Sequence, residues 1–94
     1  MSYFVYIITN KRNGTLYTGM TNYLSRRIEE HKLGIGSGFV SKYQCNLLVY
    51  AERFENLEEA FMRERSLKRH HRKWKLELIE TMNTNWDDLS NQWL

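Results

Sequence analysis

The stretch Tyr3-Phe4-Val5-Tyr6-Ile7-Ile8-Thr9-Asn10-Lys11-Arg12-Asn13-Gly14-Thr15-Leu16-Tyr17-Thr18-Gly19-Met20 decides the fold. Tyr3 to Thr9 is rich in aromatic and β-branched residues, which pack well on a pleated surface, so it reads as a strand. Asn10 to Gly14 is a turn, and its Asn-Gly pair suits positive φ. Thr15 to Met20 returns as a second strand, which makes a β-hairpin. Glycine is a poor strand residue, so Gly19 implies close approach of another backbone or a ligand.

Outward from the hairpin, Thr21 or Asn22 offers a cap for a helix running to about Lys32. Residues 33–44 include Gly34, Gly36, Ser37 and Gly38 and read as a flexible loop. Leu47 to Phe54 is a third strand whose apolar start suits a sheet centre. Asn56 caps the next helix, with Glu58 and Glu59 in its electropositive first turn, and the helix runs to about Leu67 or a little further. Another helix spans about Arg72 to Thr81, with Trp74, Leu78 and Ile79 on its apolar side and Leu76 off it. Trp86, Leu89 and Trp93 recur at helical spacing, with Asp87 and Asp88 ahead in the first turn, so a short helix over about 85–93 should dock back on the core. The order β-β-α-β-α-α, with a final short α, predicts an α+β fold: a small three-stranded, mainly antiparallel sheet flanked by helices.

Ninety-four residues make one domain, 1–94, and 41% hydrophobic residues suffice for a small core. The charged fraction of 27% is ordinary for a globular chain, which argues against disorder. No apolar run of membrane-spanning length and no basic-then-apolar leader is visible, so a soluble, cytoplasmic protein with no membrane partner is expected. Cys45 is the single cysteine, which excludes an internal disulfide and a Cys-based zinc site; it reads as a small buried side chain. Charge is unevenly placed. Residues 63–75 hold seven Lys and Arg against Glu64 alone, a net of six positive charges, whereas 76–94 hold four carboxylates and no Lys or Arg. A run that dense is either a solvated helix face or a surface for a phosphate backbone.

Helical periods give the sharpest chemical clue. Leu24, Arg27, Ile28 and His31 fall on one face of the first helix. In the next helix Leu57, Ala60, Phe61, Glu64, Leu67 and Lys68 obey the same spacing, which puts Glu64 inside an apolar stripe. A charge there is costly without a partner. One reading is a buried Arg27–Glu64 ion pair that joins two helices. The other is a metal-binding Glu64 with a phosphate-binding Arg27, whose planar fork matches phosphate oxygens. A single carboxylate suits Mg²⁺ or Mn²⁺, which keep several waters and take substrate oxygens as ligands. Tyr6 and Tyr17 read either as strand packing or as proton-transfer groups, the latter only with positive charge close by to lower a phenol pKa. Arg27, a metal and His31 would supply it. Trp86 and Trp93 read as core anchors.

These residues resemble the GIY-YIG nuclease family. Tyr6 matches the tyrosine of the first tripeptide, and Tyr17-Thr18-Gly19 looks like the second. Leu24 to His31, with Arg27 and His31, is similar to the family's first helix. Ala60 to Glu64 followed by Leu67-Lys68 resembles its metal-binding glutamate helix. The likeness covers about residues 3–80 and is strongest to small stand-alone bacterial members related to repair nucleases of the excinuclease C type, including the tail Asn85-Trp86-Asp87-Asp88-Leu89. Phe4 and Thr18 depart from the tripeptides, and Met20 stands where repair members often carry lysine. The resemblance implies an endonuclease that hydrolyses DNA phosphodiesters with one Mg²⁺ or Mn²⁺. Tyr6 would act as base, with Tyr17 assisting and His31 supporting it; Arg27 would hold the phosphate and Glu64 the metal. Lys68, Arg69, Arg72 and Lys73 would steer the strand. Single-stranded or distorted DNA at low sequence specificity is expected, with RNA as an alternative and a partner protein as the other source of specificity. The rival reading is a non-catalytic nucleic-acid-binding or adaptor module on the same fold.

Overall fold

A computed structural model describes residues 1–35 and 38–93. Its elements are β1 (Tyr3–Thr9), β2 (Leu16–Thr21), α1 (Leu24–Lys32), α2 (Gly38–Tyr43), β3 (Leu47–Phe54), α3 (Leu57–Arg69), α4 (Arg72–Met82) and α5 (Ser90–Trp93). The three strands form one antiparallel sheet in the order β2-β1-β3. The α+β expectation holds. The central strand, however, is β1 and not the apolar β3. Val5 to Thr9 are buried without alternation because helices cover both faces of the sheet.

The hairpin turn is built as its residues suggest. Asn13 carries the positive φ (57°), Gly14 N–H donates to the Lys11 carbonyl at 2.9 Å, and Asn10 Oδ1 accepts from Thr15 N–H at 3.0 Å. One sheet face packs Tyr6, Ile8, Leu48 and Ala51 against Leu24 and Ile28 of α1, Val40 of α2 and Cys45. The other packs Val5, Ile7, Val49 and Tyr50 against Ala60 and Leu67 of α3, Ile79 of α4 and Trp86. A register shift at Ile7/Ile8 inserts an extra β3 residue, which is how neighbours Val49 and Tyr50 join the same cluster.

Four local expectations change, and one cap holds. Thr21 does not cap α1: its hydroxyl accepts from Tyr23 N–H at 3.1 Å, and the N-cap is Tyr23, with no side-chain bond. Asn56 does cap α3, accepting from the amides of Glu58 and Glu59. The expected loop 33–44, of which residues 36 and 37 lie outside the described residues, contains α2. That helix is pinned by buried Val40 and ended by Gln44 at φ 54°. On α3 the buried stripe is Ala60 and Leu67, whereas Leu57 and Phe61 are exposed; the helix meets the sheet along 60, 63, 64 and 67, so large residues one step round face solvent. Leu76 packs on the core beside Trp74 and Leu78.

The tail forms a helix only over Ser90–Trp93, shorter than the expected 85–93. Its backbone instead covers the outer edge of β3. Leu89 N–H donates to the Leu48 carbonyl at 2.7 Å, Leu48 N–H donates to Asp88 Oδ1 at 3.2 Å, and buried Asn83 Nδ2 donates to the Val49 carbonyl at 3.2 Å. An open edge is thus closed. Trp86, at φ 58°, turns into one core while Leu89 and Trp93 pack on the other. Helical spacing brought the three together in the sequence, but they serve opposite faces. No described helix is long and apolar enough to cross a membrane.

Candidate functional site

Tyr6 is the hub. It lies in the middle of the central strand, opposite Gly19 on β2 and Ala51 on β3. Those small neighbours leave room for its ring, which is 1% exposed. A Cβ at Gly19 would stand 2.5 Å from the Tyr6 hydroxyl oxygen and 2.6 Å from Cζ. The intruder that Gly19 anticipates is therefore a side chain of the neighbouring strand, not a backbone or a ligand.

The Tyr6 hydroxyl lies 3.0 Å from His31 Nε2 on α1. Tyr17 places its ring edge-on to the same imidazole, with centroids 6.0 Å apart. Burial pushes the Tyr6 phenol well above its ordinary value; Tyr17 and Glu64 add to the rise, and the Arg27 guanidinium pulls the other way without prevailing. Burial first, and then Arg27, lower the His31 pKa, so the ring is neutral at pH 7. Which of the two groups donates depends on the imidazole tautomer: with the ring proton on Nδ1, Nε2 accepts from the phenol. His31 Nδ1 and Arg63 Nε are buried without a hydrogen-bond partner among the described residues.

Arg27 and Glu64 do not pair with each other. Arg27 Nε is 3.2 Å from Glu30 and its side chain is 44% exposed. It borders a shallow cleft of about 170 Å³ with Thr21, Asn22, Tyr23, Arg26 and Glu30. Glu64 is 16% exposed, and Lys68 Nζ stands 3.5 Å away. Both act electrostatically on the Tyr6 hydroxyl. The structure thus gathers Tyr6, Tyr17, Arg27, His31 and Glu64 about one phenol, and the structural Arg27–Glu64 pair is not formed.

The basic stretch divides. Lys68, Arg72 and Lys75 come together: burial, then Arg72, then Lys68 depress the Lys75 pKa. Lys75 and Arg72 lie beside Thr15 and Leu16 of the hairpin. Arg72 is committed, donating at 2.6 Å to both the Asn13 and Gly14 carbonyls. Arg69 lines a separate groove with Met62, Arg65, Ser66 and His70, and Lys73 lies with His71, Trp74 and Glu77. Lys75 was not singled out as a strand contact. No local period relates it to Lys68, because His70 and His71 are extended, at ψ 150° and 151°, and break the helix between them.

Among the described residues no three His, Cys, Asp or Glu side chains converge as a metal cage. The donor set is one shielded carboxylate, loosely held by a lysine. That fits Mg²⁺ or Mn²⁺, which accept a single protein ligand with water and phosphate oxygens, and does not fit Ca²⁺ or Zn²⁺.

The GIY-YIG catalytic-domain family model matches residues 2–77. A UPF0213 protein of Staphylococcus aureus is 38% identical over 79 residues, covering 84% of this chain and 95% of that protein. A UPF0213 protein of Staphylococcus haemolyticus is 38% identical over 78 residues, covering 83% and 94%. The solution NMR structure of a UPF0213 protein from Bacillus halodurans superposes with a TM-score of 0.61 at 31% identity, covering 94% of this chain and 93% of that one.

Proposed function

The chain belongs to the GIY-YIG family, and from that premise we propose that it is a metal-dependent endonuclease, one nuclease domain hydrolysing DNA phosphodiester bonds. The observation that carries the reading is the Tyr6–His31 hydrogen bond placed beside Arg27 and Glu64. Burial makes Tyr6 a poor base on its own, because a lone phenolate there is disfavoured. The bond to a neutral imidazole removes that obstacle. As water gives a proton to the Tyr6 oxygen, Tyr6 passes its own proton to His31 Nε2, so no phenolate accumulates. The water oxygen forms its bond to phosphorus as the bond to the leaving oxygen breaks. Arg27, exposed at the cleft, holds the phosphate bidentately. Tyr17 orders the water or phosphate beside His31. Glu64 would hold Mg²⁺ or Mn²⁺, which when bound neutralises charge developing on phosphate oxygens.

Phosphate contacts from Arg27, Lys68 and Lys75, with Arg69 and Lys73 further along, carry no base sequence in themselves, so low sequence specificity follows unless a protein partner adds it. The test is cleavage of labelled single-stranded, duplex and branched DNA, with RNA alongside, in Mg²⁺, Mn²⁺ or EDTA, for wild type and Glu64→Ala. Metal-dependent cutting that vanishes in the variant is expected. Salt-sensitive binding without turnover on any substrate would instead favour a non-catalytic binding module.

A further inference from the structure

α2 stands where the sequence suggested only a loop, and it carries an aromatic row. Val40 alone of its residues is buried and holds the helix to the sheet face. Phe39 and Tyr43, one turn apart on the same side, are 42% and 39% exposed. Their ring centroids are 4.8 Å apart, and Phe39 is 5.8 Å from Tyr17. Tyr17 meets His31, and His31 meets Tyr6. An unbroken run of rings therefore leads from the reacting phenol out to the surface. Lys42 ends it, its Nζ 5.4 Å from the centroid of Tyr43.

We propose that Tyr43 and Phe39 form a stacking platform for unpaired nucleobases adjoining the scissile phosphate, so that the substrate is single-stranded polynucleotide. This rests on the nuclease reading above and names its substrate class. Three features select this occupant. Exposed rings in a row offer π-faces that any base stacks on, whatever the sequence. Lys42 supplies a cation where the backbone leaving such a base must run. The row also begins at Tyr17, so a strand whose phosphate sits at Arg27 delivers its neighbouring base to α2. Bases in a duplex have their faces covered by one another and do not reach the rings unless flipped out.

The experiment compares binding, in EDTA, of a labelled oligothymidine and an abasic oligonucleotide of equal length, for wild type, Tyr43→Ala and Tyr43→Trp. Tyr43 is used because it touches Phe39 and not the proposed reacting groups. Wild type should prefer the oligothymidine, Tyr43→Ala should lose about tenfold on it and nothing on the abasic chain, and Tyr43→Trp should keep the preference. Equal affinity of wild type for the two chains, or a Tyr43→Ala loss that is the same on both, overturns the platform. So does a wild-type dimer that Tyr43→Ala makes monomeric, since the rings would then cover a second copy. Cleavage assayed in parallel separates the two claims. Base-dependent binding without cutting keeps the platform and defeats the nuclease, and cutting of single strands undiminished in Tyr43→Ala keeps the nuclease and defeats the platform.

Discussion

Two buried tyrosines lie on opposite faces of the sheet, each beside an arginine, and their surroundings are built to different ends. Tyr50 donates its hydroxyl to Glu52, and Arg63 on α3 stands 3.4 Å from the same carboxylate oxygen. Arg63 also lies over the ring of Trp74. Carboxylate, cation and phenol answer one another there, although Arg63 Nε makes no hydrogen bond among the described residues. Tyr6 has a comparable set within reach, but its charges take partners other than each other: Arg27, which also hydrogen-bonds the phenol, goes to Glu30, and Glu64 to Lys68. A set of charges that neutralise each other stabilises a fold. Around Tyr6 the difference is one of access: the Arg27 side chain is 44% exposed against 29% for Arg63, so it can turn from Glu30 to a substrate phosphate.

The largest expected break in this comparison is Glu64→Ala, which should lower cleavage by about 10²–10³-fold, the usual scale for losing a group that stabilises transition-state charge. Its thermal midpoint should hold steady or rise, since a shielded carboxylate with one loose partner is removed. A marked drop in the midpoint would place Glu64 with the structural charges. Gly19→Ala comes next. Its methyl would collide with the Tyr6 hydroxyl, so cleavage should fall at least tenfold and stability by about 1–3 kcal/mol. Unchanged Tyr6 resonances in the variant would contradict the close approach.

Arg63→Ala is the mirror experiment on the other face. Leaving Glu52 beside Tyr50 without its cation should cost about 2 kcal/mol in urea unfolding, with cleavage per folded molecule unaltered. The smallest effect is that of pH on His31. Its folded pKa lies below the unfolded value of 6.5, so the unfolded chain binds the extra proton first. Stability should therefore decline as pH falls below 6.5 and level off beneath the folded pKa. His31→Gln should flatten that part of the profile. The acid limb of the cleavage rate should likewise lie below the ordinary imidazole value, because the relay needs the neutral ring.

Much of the fold was legible where local chemistry decides. β-branched and aromatic runs marked the strands, Asn13-Gly14 the turn, and Asn56 with Glu58 and Glu59 the start of α3. The residues that gather about Tyr6 were legible as a candidate set, through the spacing of Arg27 and His31 on α1 and the misplaced charge of Glu64. The departures share a cause. α2 hides among glycines because a single buried Val40 holds it. Phe61 and Leu57 fit a helical stripe that the docking angle of α3 turns away from the core. Trp86, Leu89 and Trp93 keep helical spacing in a segment whose backbone is drawn into pairing with β3.

By itself, then, the amino-acid order determined the three strands and helices α1, α3 and α4, and the inward placing of Leu24, Ile28 and His31 on α1 and of Ala60 and Leu67 on α3. Those properties depend on neighbours within a turn or two. The tertiary structure alone decided that β1 is central, that Gly19 makes room for the Tyr6 ring, and that Arg27 and Glu64 take separate partners. It also decided that Arg72 braces the hairpin turn while Lys75 joins Lys68, and that α2 carries its rings to the edge of the site. Each of these is a meeting of residues far apart in the chain. Such meetings are set by how faces and edges must be covered at once, and no local period records them.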